Sequence, residues 1–145
     1  MTGTQPAKAS AHEAIVREHF DAKLRRDTET LTQQMTDDAV WWVPRSAARL
    51  GRPRPLVGRE SIVEMLTSLP LFRPEGRRWH IHHVVADDDV AIAHASLSAT
   101  TRSGNPYEND YVFVFHFRGG LIDTVWEHLD TAYAYERFEP ATPDR

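Results

Sequence analysis

Glu127-His128-Leu129-Asp130 puts three titratable groups within four positions. Carboxyls beside an imidazole can take up, hold and return a proton, which is the equipment of general acid/base chemistry. In a strand, neighbouring side chains point to opposite faces. Glu127 therefore shares a face with Val125 and Leu129 and reads as inward, while His128 joins Trp126 on the outer face. A buried glutamate is costly unless it is paired or protonated. Its plainer alternative is a salt bridge to an arginine. Asp130 reads either as an acid at the mouth of a pocket or as a strand-end carboxylate that caps the amides of Thr131 and Ala132.

Those groups end a long hairpin running from Tyr107 to Asp130. Tyr111, Phe113, Phe115 and Phe117 fall on one face, and Val112, Val114, His116 and Arg118 on the other. Arg118-Gly119-Gly120 supplies the reversal, since glycine takes positive φ without steric cost. Asn109 and Tyr111 share the face of Phe113 and can donate to a carbonyl or phenol oxygen inside an apolar cavity. His94 and Ser96 share a face one strand earlier and could also hold a ligand, as could His19 on the first helix. Trp41 or Trp42, on opposite faces of an early strand, forms pocket wall. Of His80, His82 and His83, the first and second share a strand face but no third ligand at fixed spacing joins them, so no metal site and no cofactor are expected.

The chain of 145 residues suits one domain, with 41 % hydrophobic and 26 % charged residues as in soluble globular proteins. A formal net charge of −4 gives no reason to expect nucleic acid or an acidic membrane as partner. There is no cysteine, which removes disulfides and thiol nucleophiles and fits a cytoplasmic protein. Met1 to Ala9 lacks the apolar core of a secretory signal, and no apolar run reaches membrane-span length.

Residues 10–135 are expected to form the domain, between tails at 1–9 and 136–145. Ser10 and Glu13 form a capping box for a helix to about Arg26, with Ile15, Val16, Phe20 and Leu24 as its stripe. Thr28 can cap a second helix through Met35, and Thr36-Asp37-Asp38 reads as a turn before a strand from Ala39 to Val43. Arginines 45, 49, 52, 54 and 59 among three prolines read as a surface loop, followed by a helix over about 60–68. From Trp79 onward only strands are expected, one of them (Val90 to Thr101) unusually rich in small residues. Helices early and strands late predict an α+β domain, a strongly curved mixed or antiparallel sheet packed on about three helices as a cone. An apolar cone suits a small apolar molecule, and the apolar outer face of the hairpin predicts a homodimer through the sheet.

Thr36-Asp37-Asp38-Ala39-Val40-Trp41-Trp42-Val43-Pro44, Gly58-Arg59-Glu60-Ser61-Ile62, Tyr107 to Phe115, Gly120-Leu121-Ile122 and Leu129-Asp130-Thr131-Ala132 resemble the SnoaL-like branch of the nuclear transport factor 2-like superfamily. The resemblance runs from about Ala11 to Ala132 and implies the NTF2-like α+β barrel. Members include ketosteroid isomerases, polyketide cyclases, epoxide hydrolases, dehydratases and binding domains without turnover, so fold alone does not give reaction. The isomerase base position falls at Val43, the oxyanion-holding position at about Phe113 and the helix-one tyrosine at about His19. The epoxide hydrolase set matches at Asp130 but falls near Ser96 and His94 elsewhere. The cyclase acid matches Asp130, and a phenazine-biosynthesis glutamate lies close to Glu127. The resemblance thus implies an acid/base enzyme, catalysing cyclisation, isomerisation, dehydration or hydration, with Asp130 or Glu127 moving the proton and Tyr111, Asn109 and a histidine assisting. The alternative it allows is a binding or dimerisation module.

Overall fold

The computed structural model describes residues 5–138. Its elements are α1 (Gln5–Arg25), α2 (Thr28–Gln33), β1 (Met35–Trp42), a 3-10 segment (Arg45–Leu50), β2 (Leu56–Val57), α3 (Arg59–Ser68), β3 (Arg78–Ala86), β4 (Val90–Thr100), β5 (Pro106–Arg118), β6 (Leu121–Leu129) and α4 (Thr131–Phe138). The six strands form one sheet in the order β2-β1-β6-β5-β4-β3. Every neighbouring pair is antiparallel except β1 and β6, which run parallel. The sheet is open, with β2 and β3 at its edges, rather than closed into a barrel.

The hairpin β5–β6 forms as its alternation dictates: Tyr107, Asn109, Tyr111, Phe113, Phe115 and Phe117 are all buried on one face. Gly119 and Gly120 take φ of 60° and 81° and turn the chain. On β4 the inward side chains are Ala91, Ala93, Ala95, Leu97 and Ala99. These small residues let α1 lie against β3 and β4. Val16, His19, Phe20 and Lys23, at helical spacing, are the buried positions that meet the sheet.

Four expectations need correction. The first helix begins at Gln5, so Ser10 lies inside it and caps nothing; residues 1–4 lie outside the described residues. The cap of α2 is Asp27, whose side chain accepts from the Thr30 amide at 3.1 Å, and not Thr28. Thr36-Asp37-Asp38 is part of β1, whose pairing with β6 is irregular there. Finally, 131–138 is a helix, where only strands and then a tail from 136 were expected, because Ala134 buries against the domain and Phe138 stacks on Tyr107 with centroids 5.1 Å apart; 139–145 lie outside the described residues.

Candidate functional site

The inner face of the sheet, the last turn of α1, α3 and the Arg52 loop enclose a cavity of about 280 Å³. Trp41, Trp79, Phe113, Tyr111, Leu97, Met65, Leu66 and Phe72 make it mostly apolar, and Phe138 of α4 reaches its wall. The polar groups on that wall include Glu127, Arg52, Lys23, Arg77 and the Tyr111 hydroxyl.

Glu127 sits on β6 opposite Phe113 and two positions beyond Val125, which pairs with Trp41 of β1. This register brings the Trp41 indole to it, and Nε1 donates to Oε1 at 2.8 Å. Arg52 grips the same carboxylate with both ends of its guanidinium, at 2.7 and 3.0 Å. Such bidentate charged pairs combine strength with fixed orientation. Burial works to raise the Glu127 pKa, but the Arg52 charge, its hydrogen bonds and the Trp41 donor more than offset it and hold the pKa below the ordinary carboxylate value. The expected proton-storing carboxyl is therefore an ionised, fully engaged one.

Lys23 is the opposite case. Its side chain is 4 % exposed, and Nζ stands 4.2, 4.4 and 4.6 Å from the ring centroids of Phe20, Phe113 and Trp79. Among the described residues it has neither a salt bridge nor a side-chain hydrogen bond. Burial pushes its pKa down to about 7, against the pull of Glu127 and with the help of Arg77 and Arg52. Arg77 also donates to the Lys23 and Leu24 carbonyls at 3.4 and 3.0 Å, which satisfies the end of α1 and fixes the turn carrying the amine. Behind Trp41, His19 is wholly buried, and among the described residues neither ring nitrogen makes a hydrogen bond of good geometry. Burial and the nearby Lys23 charge hold its pKa well below the usual histidine range, with Gln34 acting weakly in the other direction.

Of the residues expected to form the site, Glu127, Tyr111, Phe113 and Trp41 line the cavity. Trp41 is the wall, and Trp42 stacks outside on Trp126 with centroids 5.0 Å apart. Six do not line it. Asp130 is exposed, and its Oδ1 accepts from the Tyr133 amide at 3.0 Å at the start of α4. His94 and Ser96 sit on the outer face: the Ser96 hydroxyl donates to Asp110 at 2.7 Å and pairs with His82 at 2.8 Å. Asn109 is buried, but its amide donates to the Tyr107 hydroxyl at 2.9 Å and the Asp130 carbonyl at 3.0 Å. That leaves it a brace for the Tyr107–Tyr111 hydroxyl pair, 2.7 Å apart, and not a ligand donor. Burial pushes the Tyr107 pKa up to about 12 and that of Tyr111 well above its ordinary value, so both phenols stay protonated. His19 lies behind the wall, and Val43 is packed past the end of β1, its carbonyl accepting from Arg54 at 3.0 Å. Among the described residues no three His, Asp or Glu side chains converge in a way that could hold a metal. None of their helices is long and apolar enough to cross a membrane.

Sequence reasoning missed Lys23 and Arg52. Lys23 follows His19 by four positions and Phe20 by three, so the helical period puts it beside the apolar stripe, at a border where a lysine can equally reach water. The signal for Arg52 is indirect, since an inward Glu127 needs a cation and the arginine-rich loop supplies one.

A profile of the SnoaL-like domain matches residues 16–125. The chain belongs to the SnoaL-like family. Among curated proteins none matches it significantly. Solved structures similar to this SnoaL-like chain include a candidate SnoaL-like polyketide cyclase from Jannaschia sp. CCS1, with 14 % identity, a TM-score of 0.80, and 98 % of this chain and 100 % of that one covered. An NTF2-like protein of unknown function from Burkholderia pseudomallei K96243 has 19 % identity and a TM-score of 0.79, over 88 % and 97 % of the two chains. An epoxide hydrolase from M. tuberculosis, of the LEH-like kind, has 14 % identity and a TM-score of 0.71, over 90 % of each chain. At these identities the likeness establishes the NTF2-like fold, and the reaction must be argued from the cavity.

Proposed function

We propose that this SnoaL-like protein is a cofactor-independent acid/base enzyme that acts on a small apolar, cyclic or polyketide-like molecule. The observation that carries this reading is Lys23, an amine buried in the wall of an apolar cavity with no carboxylate partner among the described residues. A lysine whose pKa is about 7 can both accept and return a proton at neutral pH. The Arg52–Glu127 pair supplies a fixed dipole, and the Tyr111 hydroxyl a neutral donor, for a substrate oxygen. Cyclisation, isomerisation, dehydration and hydration all move a proton beside a substrate oxygen, which that combination can serve, and the similar structures include a SnoaL-like cyclase and an LEH-like epoxide hydrolase. The full engagement of Glu127 favours a second reading, a binding module without turnover.

The two readings separate on a substrate found by screening small cyclic compounds for turnover. Lys23→Met should lower the rate by on the order of 10²–10⁴ with binding retained, the scale of a lost general acid/base. Compounds that bind without turnover would leave the binding module. We further propose that a second copy covers the outer face, where Val85, Ile92 and Val112 are 60, 38 and 37 % exposed. Light scattering at micromolar concentration should give twice the chain mass, and a monomer would count against it.

A further inference from the structure

We infer that Lys23 is a nucleophile that captures small aromatic or alicyclic aldehydes and ketones as an imine inside the cavity. This rests on the reading of Lys23 as the reactive group of the site and names its substrate class. Several observations converge on it. Lys8 and Lys23 are the only lysines among 17 basic residues, so this chain uses arginine for nearly every cation it needs. Surface charge does not explain Lys23, which is 4 % exposed, and no carboxylate among the described residues holds it. Glu127, the buried acid of the cavity among the described residues, has both oxygens taken by Arg52 and Trp41. An arginine at position 23 would be a permanent cation, whereas a lysine can shed its proton and become a nucleophile. The amine lies over the rings of Phe20, Phe113 and Trp79, and Phe113 and Trp79 line the cavity with it, so a planar apolar carbonyl compound would find ring contacts and the nitrogen together.

The chemistry balances without a co-reactant. The nitrogen lone pair forms a bond to the carbonyl carbon, giving a carbinolamine. The two amine protons then leave with the former carbonyl oxygen as water, and a C=N bond remains. No oxidant or reductant is used, and hydrolysis reverses the capture. When protonated, the imine withdraws electrons from the adjacent carbon, which makes proton removal there easier. That links capture to the isomerisations and cyclisations proposed for the site. Burial assists the first step by keeping the Lys23 amine partly neutral at neutral pH, while an exposed lysine is almost wholly protonated.

Benzaldehyde and cyclohexanone with sodium cyanoborohydride make the test, read by intact mass and peptide mapping of the full chain. At pH 7.5 the reduced adduct should form at Lys23 at least about tenfold faster than at Lys8, because a normal lysine is less than about one per cent neutral at that pH. The advantage should shrink by pH 10, where both amines approach neutrality. Lys23→Met should abolish the fast adduct with the slow one at Lys8 unchanged. Should that variant not fold, the comparison of Lys23 with Lys8 in the parent chain still decides. Equal rates at the two lysines would overturn the inference. Toluene, which has no carbonyl, serves as a parallel probe through quenching of tryptophan fluorescence. If toluene binds and no adduct prefers Lys23, imine capture fails and the acid/base reading stands. If neither occurs, both fail.

Discussion

On the sheet side of the cavity, Glu127 meets Arg52 at 2.7 and 3.0 Å and the Trp41 indole at 2.8 Å. On the helix side, 4.2 to 4.6 Å separates the Lys23 nitrogen from three ring centroids, and among the described residues no acid forms a salt bridge with it. Both groups are buried, yet their electrostatics run in opposite directions. The carboxylate is held charged by a partner, and the amine is driven toward neutrality by the lack of one. A paired buried charge is architecture, because moving its proton means breaking the pair. An unpaired one is uncomfortable in the fold and available to a ligand, which is the pattern expected of a reactive group.

Removing the partner from the satisfied wall should produce the largest effect. Arg52→Met leaves Glu127 buried without a cation and should destabilise the fold by about 3–5 kcal/mol, measured by urea unfolding at pH 7. The double change Arg52→Met with Glu127→Gln should recover much of that loss, since no charge is then stranded. The pH dependence should move as well. In the parent chain the folded pKa of Glu127 is below its ordinary value. Its contribution is therefore complete above the unfolded pKa and disappears only as pH falls through the folded one. Without Arg52 burial dominates, the folded pKa rises, and acid unfolding should begin at a higher pH. An Arg52→Met protein as stable as the parent would mean that the two walls do not differ.

The unsatisfied wall should respond with the opposite sign. Lys23→Met keeps length and apolar bulk and removes a group that folding must strip of its proton or of its water. It should raise stability by about 1–3 kcal/mol at pH 7, less than a fully desolvated lysine could cost because the site relaxes. The folded pKa is lowered to about 7, whereas the unfolded chain keeps its proton to about 10. Between those values the unfolded state binds the extra proton, so the parent becomes more stable as pH rises, by up to about 1.4 kcal/mol per pH unit. The gap between variant and parent should therefore narrow from pH 7 to 9.5 in urea titrations. A constant gap would indicate that Lys23 is charged in the folded protein and that the contrast between the walls is only one of geometry.

The sheet side was legible in the sequence and the helix side was not. Alternation along Tyr111 to Phe117 fixes which face is buried, and a glutamate between Val125 and Leu129 inherits that face. Period-2 patterns are strict, so one polar residue in the inward set stands out. A helix stripe is broader, and a lysine at its border reads as a solvated edge because long stems reach water easily. What buries Lys23 is α1 lying on the alanines of β4, a contact between residues some seventy positions apart. Arg52 is hidden for a related reason: proline-rich loops read as surface, and nothing local reveals that this one folds back over β6. The outer histidines illustrate the converse. His94 and Ser96 do share a face, as alternation requires, but it is the face away from the cavity.

Asp130 gives the smallest effect and the sharpest boundary to the site. Read from sequence, an acid at the end of the last strand is equally a catalyst or a cap, and Thr131 to Phe138 decide between them by forming a helix. The carboxylate accepts from the Tyr133 amide at 3.0 Å, three positions on, which is the bond of an N-cap. Asp130→Ala loses that bond and should cost about 1 kcal/mol, the usual range for a lost cap. Asp130→Asn retains an acceptor oxygen and should change stability by less than about 0.5 kcal/mol. Because the side chain is exposed and does not line the cavity, neither change should slow turnover, or adduct formation at Lys23, more than a few-fold. A rate loss of about a hundredfold in Asp130→Asn with the fold intact would restore it as the proton carrier. It would also mean that α4, which sets Phe138 in the cavity wall, moves during the reaction to bring this carboxyl inside.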